Sequence, residues 1–327
     1  MATDSDGAAR RRRLLEVAVR AVAADAGAAQ ANVTSRDGVA VAVADGAAWG
    51  IVDSEPHRSL AHIVLHAYRA HAAQLTMVVH GESALIHGAT AARRAQWVGM
   101  STTVCQLVER TPQPIEPSAI VADHEPAAAH RSFVDQIRSA GAEVVIEHGV
   151  VCGEVSGLEV CRVVDGPEGA ELSVGVGRHD RMAGEMLYGI DGAQNRLAEV
   201  VDEVRARRRD DAEPHPLQRL APERLLRQRL VAEPSLVGAD TLMPVPGLER
   251  KESVLSPSPA FAWDRSTGTM VAATTGLDLG AWPDAVDMAD HLGAARIIIA
   301  MPARNRLRAH DDLCAAFTPD IVLHEVA

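Results

Sequence analysis

Residues 143–181 read EVVIEHGVVCGEVSGLEVCRVVDGPEGAELSVGVGRHDR. Three Val- and Ile-rich runs follow one another here, Val144–Glu154, Leu158–Val164 and Leu172–Val176, as half-buried strands do. Asp165-Gly166-Pro167-Glu168-Gly169 breaks the last two with a turn. Four acids, Glu147, Glu154, Glu159 and Glu171, recur inside these runs. Burying an unpaired carboxylate is costly, so each acid faces solvent or meets a cation. Strict alternation along Leu158–Val164 puts Leu158, Val160, Arg162 and Val164 on one face and Glu159, Cys161 and Val163 on the other. On that parity Arg162 is excluded as a partner of Glu159.

The third run ends in Gly175-Val176-Gly177-Arg178-His179-Asp180-Arg181. A GxG at a strand end lets backbone amides approach an anion, and Arg178 and Arg181 add forked donors. The same residues also read as a plain strand-to-helix turn, with Asp180 as the cap of the helix that follows. Downstream, HPLQRLAPERLLR (His215–Arg227) places Pro222 in a first helical turn. Arg219, Arg224 and Arg227 then either gather around an anion with Arg178 or pair with the acids of the central strands.

Outward from this centre the chain alternates strands and helices. On the N-terminal side a hairpin turns at Asp45-Gly46 within 39–53. It is followed by a helix over 56–71, a strand over 75–80, a helix over 84–98 and a strand over 103–109. On the C-terminal side strands over 269–274, 296–301 and 321–326 enclose helices over 283–292 and 307–317. Strand starts recur about every 25–28 residues in both blocks, which fits either a duplication or convergence on a generic β-α-β-α-β unit. The expected fold is α/β: two β-α-β-α-β, Rossmann-like blocks flanking a β-rich α-β-β-β-α segment. The expected divisions are a tail and helix at 1–37 (1–9 disordered, a helix over 10–26), a first block at 38–117, a central segment at 118–232, and a Pro-rich connection with the last block at 233–327.

Charge and composition exclude several classes. The chain has 327 residues and a formal charge of −12, which argues against broad non-specific nucleic-acid binding but not against a local basic groove. The basic run Arg205–Arg209 is balanced by Asp202, Glu203, Asp210 and Asp211 and reads as a solvated helix end. Cys105, Cys152, Cys161 and Cys314 form no CxxC or Cys/His zinc pattern, and they read as core residues of a cytoplasmic protein. No run is long and apolar enough to span a membrane. GxGxxG, GxxxxGK[ST] and GxSxG are all missing, so nicotinamide, flavin and P-loop binding lack a signature. His62 and His66 are four apart on a helix but lack the HExxH acid, and they read as surface histidines. Strand carboxyl ends in an open α/β sheet offer Asp53, Glu55, His80 and Glu82 in the first block, and Thr274, Thr275, Asp278, Arg304 and Asn305 in the last.

The phrases EHGVVCGEVSGLEVCRVV, LSVGVGRHDR, HPLQRLAPERLLR and TTGLDLGAWPDAVDMA resemble an actinobacterial protein family of unknown function, over most of the chain. That resemblance implies no site residues. The order helix, three strands, helix, with carboxylates on the strands, resembles the PD-(D/E)XK nuclease superfamily. This resemblance implies acids and a Lys around Mg²⁺ for phosphodiester hydrolysis. Here no [DE]xK stands on a strand, and Arg178 is the nearest cation downstream.

Two functions follow as expectations. In the first, a nuclease-like metal-dependent phosphodiester hydrolase acts on nucleic acid or a nucleotide. Glu147, Glu154 and Glu159 hold Mg²⁺, Glu154, Glu159 and Arg178 are catalytic, and Arg181 binds phosphate. In the second, a non-catalytic protein binds an anionic or phosphorylated ligand through Arg178, Arg219, Arg224 or Arg227 around a pocket without a carboxylate cluster, or serves as an assembly scaffold, as a homo-oligomer if the blocks associate.

Overall fold

The computed structural model describes residues 2–36, 38–109, 111–121, 124–209, 211–249 and 257–327. Asp210 and the side chain of Glu82 lie outside the described residues. The protein is α/β, and it divides into two units, residues 1–120 with 278–325 and residues 121–277.

The first unit opens with α1 (Ala2–Asp25), which starts within the residues expected to be disordered. Leu15, Val19, Val22 and Ala23 recur at helical spacing and pack on the sheet residues Ala40, Ala42, Trp49 and Ile51. Strands β1 (Asn32–Arg36), β2 (Val39–Ala44) and β3 (Ala47–Val52) form an antiparallel meander, with the β2–β3 turn at Asp45-Gly46 as expected. Then come α2 (Pro56–Arg69), β4 (Gln74–Val79), α3 (Glu82–Ala95) and β5 (Ser101–Val108), with β3, β4 and β5 parallel. This is the expected β-α-β-α-β block. Pro112 and Pro114 belong to an edge strand β6 (Thr111–Pro114) antiparallel to β5. An edge tolerates proline because its outer side needs no donors.

The second unit begins with the short helices α4 (Ala128–Arg131) and α5 (Val134–Ser139). The run expected as one strand, 144–154, is a hairpin of β7 (Glu143–Glu147) and β8 (Val150–Val155). His148 at φ 52° and Gly149 at φ 74° make a turn of the kind that suits tight hairpins. With β9 (Leu158–Gly166) and β10 (Gly169–Val174) the sheet is a four-stranded antiparallel meander, not a three-stranded one. Helices α6 (Gly177–Asn195) and α7 (Leu197–Arg207) follow, then a 3₁₀ turn at Pro216–Arg219 and α8 (Pro222–Ala232). Within the segment expected to be irregular, β11 (Met243–Val245) and β12 (Ala260–Asp264) pair antiparallel, and β13 (Thr269–Ala273) pairs with β12.

The chain then returns to the first unit with α9 (Ala281–Leu292), β14 (Arg296–Pro302), α10 (Arg308–Ala316) and β15 (Ile321–Val326). Arg93 and Arg94 of α3 tie this return to the N-terminal part. Arg93 donates to both oxygens of the fully buried Asp287 on α9 at 2.7 Å, and Arg94 donates to it at 3.1 Å. A buried carboxylate is tolerable only with such pairing. Among the described residues no helix is long and apolar enough to cross a membrane.

Candidate functional site

The four-stranded sheet of the second unit has one apolar and one charged face. Val151, Val155, Leu158, Val160, Cys161, Val163, Leu172 and Val174 pack against Ile137 of α5 and Leu197, Val201 and Val204 of α7. Burial pushes the Cys161 thiol up to about 12.

The other face owes its composition to a register shift. Gly153 pairs with Cys161, but Glu154 pairs with Glu159, so Val160 is an extra residue in β9. A bulge of this kind leaves one residue unpaired and changes the side-chain parity beyond it. Cys152, Glu154, Glu159 and Arg162 therefore share a face with Glu143 and Glu147 of β7 and Ser173 of β10. The strict-alternation argument that excluded Arg162 as a partner of Glu159 fails for this reason. Arg162 binds Glu159 with both arms, at 2.6 and 2.8 Å. Arg181 of α6, only 8% exposed, donates to the same carboxylate at 3.0 Å.

Helix α8 covers the far end of this face. Ala221 takes a left-handed conformation at its N-cap, and Pro222 starts the helix, as expected from the sequence. Arg224 and Arg227, three apart, lie on one side of α8. Arg224 bridges two strands, donating to Glu147 on β7 at 2.5 Å and to Glu154 on β8. Arg227 stands 3.6 Å from the other Glu154 oxygen.

The approach of α8 is fixed by the β8–β9 turn. Gly157 has φ +72°, and a Cβ there would lie 2.5 Å from the backbone carbon of Arg224. Only glycine admits that conformation and that contact together. Arg208, 3% exposed at the end of α7, clamps the same region. It donates to the Ser156 carbonyl at 2.9 and 3.1 Å, to Leu217 at 2.5 Å and to Leu220 at 2.7 Å. Burial pulls its guanidinium down to about 10, with Glu154 opposing.

Between the charged face, α8 and β11–β12 lies a cleft of about 70 Å³. Five carboxylates (Glu147, Glu154, Glu159, Glu223, Glu249) and three guanidinium groups (Arg162, Arg224, Arg227) line it, and Phe261 closes its apolar side. Burial raises the Glu154 carboxyl above its usual range, against the pull of Arg224 and Arg227. Burial likewise lowers the Arg227 guanidinium, while Glu154 and Glu147 hold Arg224 above its ordinary value in spite of burial.

The structure thus brings together Glu147, Glu154, Glu159, Arg224 and Arg227, and joins Arg181 to them through Glu159. It leaves Arg178 and Arg219 exposed and outside this cleft. At the GxG, Asp180 accepts the Val176 amide at 2.7 Å, so the chain's own carboxylate caps the turn. Among the described residues no group of three or more His, Cys, Asp or Glu is arranged to hold a metal ion.

The strand ends of the first unit hold internal pairs: Asp53 with Arg11 at 3.3 Å, and Asp278 with Arg58 at 2.8 Å. His66 is exposed and His62 half-buried on α2. Thr274 accepts the Gly276 amide, and Arg304 is exposed. Thr275 donates at 2.8 Å to Glu223, a cleft residue absent from the sequence expectations, and Arg208, expected within a solvated helix end, is instead buried at 3% exposure. Neither carries a local motif, and both are placed by contacts more than fifty positions away in sequence.

Comparison with known proteins gives no matching family model, curated protein or solved structure.

Proposed function

We propose that the cleft of the second unit binds a small phosphate- or carboxylate-bearing ligand through Arg227 and Arg224. The observation that carries this reading is the state of Arg227. The residue is 6% exposed, yet among the described residues its guanidinium makes one ion pair, at 3.6 Å, which is beyond hydrogen-bond reach. A guanidinium has five donors in a fork that fits phosphate and carboxylate. Burial without hydrogen bonds penalises that cation, and an anion in the cleft relieves the penalty. The cleft's size suits one phosphate or carboxylate group, not a nucleotide held whole. Glu154 is the natural switch. Protonated, it releases Arg224 and Arg227 to the ligand.

Thermal unfolding in millimolar phosphate, pyrophosphate and citrate tests the proposal. Binding to the native state raises Tm by mass action, about 2.7 kcal/mol of stabilisation at a hundredfold excess over Kd. The wild type should respond and Arg227→Met should not. Equal shifts in both proteins would count against it.

A second reading keeps the nuclease-like chemistry, with Mg²⁺ at Glu147, Glu154 and Glu159. All three carboxylates stand on one face and two of them share Arg224, but as they stand they are not arranged to hold a metal, so this reading requires the cation to draw them together. A divalent cation would displace Arg224, leaving Glu154 and Glu159 beside the ligand, while Arg178 stays outside the cleft. Under this reading stabilisation by pyrophosphate requires Mg²⁺ and is lost in Glu147→Gln.

A further inference from the structure

We propose that α1 and the adjoining edge of the first sheet form a second, independent anion surface, one that holds the sugar–phosphate backbone of duplex nucleic acid. The basis is how six arginines are distributed around one helix and one strand. At 100° per residue, Leu15, Val19, Val22 and Ala23 occupy the arc of α1 that is buried on the sheet. Arg10, Arg13 and Arg20 fall on the opposite arc, together with Leu14 and Val17, and all five are exposed. Arg11 lies beside the buried arc and Arg12 continues it, both near the exposed start of the helix. There they line a groove with Arg36 and Ser35 of β1, Gly38 and Ser54.

The result is a cationic ridge beside a cationic trough. The trough, about 620 Å³, has room for several phosphates with their sugars, where the cleft of the second unit has about 70 Å³. Its polar lining is arginine, serine hydroxyl and backbone, the groups that contact phosphate and sugar and not base edges. Among the described residues, two acids near it are engaged. Asp53 pairs with Arg11 at 3.3 Å, and Glu16 accepts the Ser35 hydroxyl at 2.5 Å.

The occupant follows from what else the surface carries. Among the described residues no aromatic side chain stands on the ridge or in the trough, so single strands, which bind by base stacking, find no platform there. A bilayer surface needs a broad apolar face, and among the described residues of this surface the exposed large apolar side chains are Leu14 and Val17. Guanidinium groups carried along one helix beside a polar trough can meet the phosphates of a duplex. The overall charge of −12 opposes this association at long range, so the contact is short-range and strongly salt-dependent.

The test is fluorescence anisotropy of a labelled 24-base-pair duplex with the full-length protein between 50 and 200 mM NaCl. Neutralising about four phosphates gives a slope of log K against log salt near −3.6. The double variant Arg12→Glu/Arg36→Glu should weaken binding at least tenfold, and Arg10→Glu/Arg13→Glu should do the same. Arg227→Met, in the other unit, should leave it unchanged. Circular dichroism of each variant confirms that α1 is retained. The exposed substitutions Arg10→Gln/Arg13→Gln give a milder pair that should show a reduced salt slope. Duplex binding that survives both charge reversals would overturn the proposal. So would loss of binding in Arg227→Met, or stronger binding to phosphatidylserine vesicles or to single strands than to the duplex.

Discussion

Gly157→Ala probes how the charged cleft is assembled. The residue sits at φ +72° in the turn joining β8 and β9, and an added Cβ would meet the Arg224 backbone carbon at 2.5 Å and its oxygen at 2.6 Å. The left-handed conformation costs an alanine roughly 1 kcal/mol. The overlap is with backbone, not with a movable side-chain tip, so α8 must shift, at a cost of about 1–3 kcal/mol. The substitution is therefore expected to destabilise the protein by about 2–4 kcal/mol in total. A control separates the two contributions. Gly238 has a similar φ of +68° but nothing within 4 Å of its Cβ position. Gly238→Ala should cost only the conformational part, about 1 kcal/mol. Urea unfolding followed by tryptophan fluorescence compares the two midpoints. Because moving α8 also moves Arg224, Gly157→Ala should weaken anion binding at least tenfold, and Gly238→Ala should not. Equal midpoints and equal affinities for the two variants would refute the idea that close approach of α8 to this turn builds the site.

Other outcomes follow from the same geometry. Arg208→Met leaves three carbonyls without their buried donor and should cost about 3–5 kcal/mol, seen as a lower urea midpoint. Anion binding should take up a proton at Glu154, whose carboxyl is raised by burial, so affinity should rise from pH 7.5 to 5.5; calorimetry in buffers of different ionisation enthalpy measures the uptake. Cys161 keeps its proton up to about pH 12 when folded, whereas an unfolded thiol loses it near 9. The unfolded state therefore binds fewer protons between these values, and stability should fall by about 1 kcal/mol between pH 8 and pH 10. Cys161→Ala, though less stable throughout, should lose that part of the decline. In the native wild type, Cys161 should resist iodoacetamide at pH 8.

Much of the first unit was legible because its signals are local. The Asp45-Gly46 turn, the helix starting at Pro56 and the Val-rich strands each follow from a few adjacent residues. The second unit was read less well where a single residue changed the geometry. His148 in a left-handed conformation splits one expected strand into two, and non-glycine residues rarely signal that conformation. The extra residue Val160 reverses the parity on which the pairing of Glu159 was judged, and nothing in LEVCR marks a bulge. The candidate acids were nonetheless found, because carboxylates inside apolar runs require partners wherever the partners come from. Their arginines could be named only as a set. Which of them reach the cleft depends on how α8 crosses the sheet, and the sequence around Arg219 differs little in character from that around Arg224. Strand β12, with Phe261 on the cleft, was hidden among prolines that mark the flanking loops and not the strand itself.

The central proposal is that Arg227, buried and held by Glu154 only at 3.6 Å, takes up an added anion in the cleft. Isothermal titration of pyrophosphate into the full-length protein at pH 6, beside Arg227→Met and Arg219→Met, tests it most directly. One buried charge-assisted hydrogen bond is worth about 1.5–3 kcal/mol, so Arg227→Met should weaken binding at least tenfold, while the exposed Arg219→Met should not change it. Unaltered binding in Arg227→Met, or no heat from the wild type at millimolar pyrophosphate, would contradict the account.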